Sequence, residues 1–97
     1  MAIELTKTKD GQTLKLGPRF DFSCHGEFRR ATTGLPPNIE VIVDFRETTY
    51  IDSSALGLLL LLGERVGQNK LVRLVNVGGQ PREALQLANF QKLFRMD

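Results

Sequence analysis

Asp52, Ser53 and Ser54 set a carboxylate and two hydroxyls side by side, directly ahead of a run from Ala55 to Leu62 that holds no polar side chain. Side chains of these types at a helix start accept hydrogen bonds from backbone N–H groups that have no intrahelical partner. The same helix end stabilises a phosphate. A kinase could therefore modify Ser53 without unfolding the domain, adding about −1.5 to −2 of charge to the surrounding surface. A partner docked there would be lost to repulsion and desolvation. The plainer use of Ser53 is as the helix N-cap, with Asp52 competing for that place. A second cluster, Asp21, Ser23, Cys24 and His25, contains an acid, two nucleophiles and a base. Hydrolysis requires nucleophile, base and orienter to converge in space, and closeness along the chain does not supply that. No glycine-rich phosphate loop of the G-x-G-x-x-G or Walker type is present, so nucleotide chemistry ranks last. The chain is not expected to be an enzyme.

The element carrying Ser53 reads as a helix. Five consecutive leucines, Leu58 to Leu62, contain no β-branched residue, and Gly63, Glu64, Arg65 and Val66 continue the segment. Its apolar character predicts that it is largely buried, with Gly57 and Gly63 as packing choices where it crosses a sheet. Ile39 to Phe45 and Leu71 to Val77 are nearly continuous in apolar and β-branched residues, as strands covered on both faces are. Arg73 and Asn76 are the polar exceptions in the second. Ile3 and Leu5, then Leu14 and Leu16, alternate with polar residues around Asp10-Gly11, which predicts an N-terminal β-hairpin. After Gly17-Pro18, a short helix is expected over His25 to Thr33, N-capped by Ser23 and stopped by Gly34 with Pro36 and Pro37. Gln80-Pro81 opens a last helix, with Ala84, Leu87, Ala88 and Phe94 as its buried stripe. The order β-β-α-β-α-β-α predicts an α/β fold with a mixed sheet of about four strands, parallel pairs included, and helices packed on it.

At 97 residues there is room for one core, so residues 1–97 are expected to form a single domain. Hydrophobic residues at 41% and charged residues at 25% suit an ordinary soluble globular chain. Thirteen Lys and Arg against 11 Asp and Glu, with signs interspersed, leave no nucleic-acid footprint. No apolar run approaches the roughly 18 residues that span a bilayer, and the N-terminus lacks a secretory pattern, so a cytoplasmic protein without direct membrane insertion is expected. One cysteine and one histidine give neither an internal disulfide nor a metal cluster, and no cofactor is expected.

Asp52-Ser53-Ser54-Ala55-Leu56-Gly57, set between a strand and a leucine-rich helix, resembles the D-S-[ST]-[GA]-L-G motif of STAS domains, and in particular of bacterial anti-sigma factor antagonists. Gly17-Pro18-Arg19-Phe20-Asp21 resembles that family's turn ahead of its first helix, and the order of elements agrees over nearly the whole chain. The resemblance implies a switch without catalytic activity. Its unphosphorylated form would bind an anti-sigma factor, often itself a serine protein kinase. Phosphorylation of Ser53, with Ser54 secondary, would break the complex, and a PP2C-type phosphatase would restore it. Asp21 and Asp52 would flank the acceptor, with Ala55, Leu56 and Gly57 completing the site. The alternative implied by the resemblance is a small cytoplasmic STAS subunit of an ABC-type lipid transporter, its serine-bearing helix packed on the ATPase.

Overall fold

A computed structural model describes residues 3–8 and 11–97. Strands β1 (Ile3–Thr8) and β2 (Gly11–Leu16) pair antiparallel from Ile3↔Leu16 to Thr8↔Gly11, which is the expected hairpin; Asp10 of the expected turn lies outside the described residues. The two-residue strand β3 (Arg19–Phe20) leads through a 3-10 turn, Phe22–Cys24, into helix α1 (His25–Thr33), which Gly34 ends. Strand β4 (Glu40–Asp44), the two-residue β5 (Tyr50–Ile51) and helix α2 (Ser53–Val66) follow. The chain then forms β6 (Val72–Val75), helix α3 (Gly79–Leu87) and a short final strand β7 (Arg95–Met96). Among the described residues the main sheet has the order β1-β2-β4-β6-β7, one antiparallel pair followed by parallel ones, while β3 and β5 form a separate parallel pair.

The mixed sheet, the hairpin and three helices are those expected, with β7 as an added strand and β3 and β5 as unforeseen ones. The last helix, however, ends at Leu87, which is exposed, and buries Pro81 and Leu85 instead of the expected stripe, with Phe94 lying beyond it. Covering of the middle strands differs from expectation. Val41, Val43, Val72 and Leu74 are fully buried, whereas Ile42, Asp44, Arg73 and Val75, on the opposite face, are half-buried. The buried face joins Phe28, Leu59, Leu62, Leu85 and Phe94 in one continuous core. The other face is polar enough to meet water: Arg73 forms ion pairs with Glu40 and Asp97, and Arg95 bonds Glu40 at 3.1 Å. A strand rich in Val and Ile thus needed only one fully covered face.

Ser23 does not cap α1. Asp21 caps the preceding 3-10 turn instead, and Cys24, the residue before α1, makes no side-chain capping bond. The long helix α2 stops at Gly67, whose left-handed φ of 94° lets its N–H bond the Gly63 carbonyl.

Candidate functional site

The segment from Gly17 to Asp21 is stitched to the segment from Thr48 to Asp52. The buried Thr48 donates its hydroxyl to the Gly17 carbonyl at 2.8 Å, and the Thr49 and Tyr50 N–H groups share the Pro18 carbonyl. The parallel pairing Arg19↔Tyr50 and Phe20↔Ile51 continues the stitch. Beyond the pair, Asp21 and Asp52 leave β3 and β5 at matching positions, so two segments far apart in sequence deliver two carboxylates to one end of the molecule.

Each carboxylate caps the start of a helical segment. Asp52 adopts extended backbone as the N-cap of α2; its Oδ1 accepts from the Ala55 N–H at 3.0 Å and its Oδ2 from the Phe22 N–H at 3.1 Å. One side chain therefore ties the α2 start to the turn before α1. Asp21 accepts from the Ser23 N–H at 3.0 Å, the Ser23 hydroxyl at 2.6 Å and the Arg19 Nε at 3.2 Å. These bonds, led by that of the Ser23 hydroxyl, hold the Asp21 carboxyl below its ordinary range against a smaller opposing effect of burial. The Arg19 guanidinium lies 4.4 Å from the Tyr50 ring centre, closing the rim.

Asp52 takes the capping role, so Ser53 is not the N-cap but the first helical residue, and it is exposed. Ser54 is half-buried, Ala55 is fully buried in the core, Leu56 packs partly against it and Gly57 faces solvent. Gly57 is therefore no packing residue: a Cβ added there would meet nothing within 4 Å. Nor is α2 as buried as its composition predicts. Ser53, Gly57, Leu60, Leu61 and Glu64 form an exposed stripe, with Leu61 51% exposed, while Leu58, Leu59, Leu62 and Val66 face the core. Five leucines in a row must point around the whole helix, so some of them meet water whatever the core requires.

Phe22, 71% exposed, extends the apolar surface at the Asp52 end, its ring 6.4 Å from that of His25. The suspected hydrolytic cluster is dispersed into other duties: the Ser23 hydroxyl serves Asp21, and the Cys24 thiol donates to the Arg19 carbonyl at 3.3 Å from within the core. Sequence reasoning missed Thr48, Arg19, Phe22, Ser23 in its Asp21-bound role, and Gln80, which bonds the Ile51 backbone. Only the Asp21-x-Ser23 spacing signals its own role, because aspartate commonly accepts from the N–H two residues on.

A family model described as the Mlab, STAS domain matches residues 3–95. A STAS-domain containing protein of Pseudomonas aeruginosa strain UCBPP-PA14 is 41% identical over 101 residues, covering 99% of each chain. Among solved structures, the unphosphorylated form of the anti-sigma factor antagonist SpoIIAA superposes with a TM-score of 0.71 at 19% identity, over 99% of this chain and 87% of that one. A proposed anti-sigma factor antagonist of Thermotoga maritima gives 0.74 at 14% identity, over 97% and 84% of the two chains. At such identities the structural likeness is one of fold. The family match over residues 3–95 and the Pseudomonas relative show that this chain belongs to the STAS domain family.

Proposed function

We propose that the protein is a cytoplasmic STAS regulator of the anti-sigma factor antagonist type. It binds an anti-sigma factor or a serine protein kinase, and phosphorylation of Ser53 switches that binding off. The observation carrying this reading is the division of labour at the start of α2: Asp52 supplies the cap, which leaves the neighbouring Ser53 exposed as the first helical residue. A phosphate on Ser53 sits at the positive end of the helix, so the fold tolerates it. Its charge nevertheless appears at the head of an apolar stripe, where a docked partner would have to desolvate it. The likeness of fold to an anti-sigma factor antagonist supports the same reading. Removal of the phosphate by a PP2C-type phosphatase completes the cycle, and the domain itself contributes no catalysis.

Baits carrying wild-type protein, Ser53→Ala and Ser53→Asp test the switch in lysate of the native host, with captured proteins and Ser53 phosphate identified by mass spectrometry. The expected result is capture of a serine kinase or anti-sigma factor by wild type and Ser53→Ala, and its loss from Ser53→Asp. Equal capture of a membrane transporter ATPase by all three baits would instead assign the transporter-subunit role. Absence of phosphate from Ser53 under every growth condition would sink the switch.

A further inference from the structure

Strand β5 has β3 along one edge, and at Ile51 a side chain occupies the other. Gln80, near the start of α3, accepts from the Ile51 N–H through Oε1 at 2.9 Å and donates from Nε2 to the Ile51 carbonyl at 3.0 Å. In a parallel ladder a residue presents its N–H and carbonyl toward the same neighbour. A primary amide offers that pair one acceptor and one donor, as a third strand would. Gly79, at a left-handed φ of 57°, shapes the turn that brings Gln80 there, and Gly78 caps α3 with no side chain of its own. Ile51 is fully buried, and the next two residues are the cap Asp52 and Ser53.

We infer that Gln80 is the positioning residue for Ser53. By gripping the Ile51 peptide from the side opposite β3, it fixes the direction in which the chain leaves β5. That direction lets Asp52 reach the Ala55 and Phe22 N–H groups at once. Ser53 is presented as an exposed first helical residue only while both bonds hold. Gln80 thus acts through Asp52, from a helix that neither aspartate belongs to. The functional meaning rests on Ser53 being the phosphoacceptor; the coupling itself does not.

Amide hydrogen exchange, followed residue by residue by NMR on the full unmodified chain, tests the coupling with Gln80→Ala and Gln80→Glu. The glutamate retains an acceptor for the Ile51 N–H but turns a negative oxygen on the Ile51 carbonyl, so a variant of unchanged length should loosen the same site. The expected result in both variants is exchange at Ile51, Phe22 and Ala55 faster by about tenfold, with β4 amides unchanged. A rise confined to the first turn of α3 would overturn the inference, since it would make Gln80 a local support of its own helix. Unchanged exchange at Phe22 and Ala55 would overturn it as well. Neither kinase nor partner enters the measurement, so a failed coupling and a failed switch are told apart.

Discussion

Two aspartates leave neighbouring strands at matching positions, yet their oxygens do different work. Asp52 spends both on backbone N–H groups, and Asp21 gathers a hydroxyl, an N–H and a guanidinium. The carboxyl of Asp21 is lowered in the folded chain from an ordinary value of 3.8, so its ionised form is preferentially stabilised by folding. The stabilisation is complete above the unfolded value and disappears as pH falls through the lowered folded value. Asp21→Asn keeps an acceptor for Ser23 but gives up the charge that strengthens all three bonds. Thermal melts should therefore find Asp21→Asn a few degrees less stable than wild type near neutral pH, the two converging as pH falls through the lowered titration of the Asp21 carboxyl. A gap that stays constant across this range would show that the charge of Asp21 contributes nothing.

Helix α2 carries two glycines whose substitutions should act in opposite directions. Gly57 lies on the exposed stripe with open space where a Cβ would go. Gly57→Ala should therefore stabilise the fold by about 0.5–1 kcal/mol through helix propensity alone. At Gly63 the added Cβ would fall 3.2 Å from a ring carbon of the fully buried Phe94 and would displace the Asn69 side chain, so Gly63→Ala should cost about 1–3 kcal/mol. Urea unfolding of the two variants checks the pair, and a destabilised Gly57→Ala would mean that the solvent side of α2 is misplaced. If Gly57→Ala also weakens partner capture while stabilising the fold, the bare backbone one turn from Ser53 is part of the docking surface. The helix itself was legible in the sequence because its leucines lack β-branching and Asp52 precedes them, and the family motif was legible as six consecutive residues. What could not be read was which glycine met protein and which met water. That depends on Phe94 and Asn69, brought in from later segments. Likewise β3 and β5, at two residues each, are too short to show alternation, and they pair only because Thr48 and Pro18 anchor the chains ahead of them.

At the scale of the molecule, the core runs without a break from Ile3 in the first strand to Phe94 near the last. Phe94 is fully buried, pairs with the Phe90 ring at 5.4 Å and lies against α2 at Gly63. Beyond it, β7 lies parallel to β6, the Asp97 N–H bonds the Leu74 carbonyl at 3.1 Å, and the Asp97 carboxylate pairs with Arg73. Domains of this size are stable by only about 5–15 kcal/mol, while truncating a buried phenylalanine costs about 3–5 kcal/mol. Phe94→Ala therefore removes a large share of the total, and should lower the midpoint of thermal unfolding by more than about 10 °C. Since the same core holds both ends of the chain, the loss should be felt everywhere at once: calorimetry is expected to show one transition, displaced downward, with calorimetric and van't Hoff enthalpies still equal. Two resolved transitions would mean that the segment after α3 docks on an independently stable remainder. The start of α2, with Ser53, would then keep its shape without the C-terminal segment. A single transition ties presentation of that serine to the integrity of the whole fold.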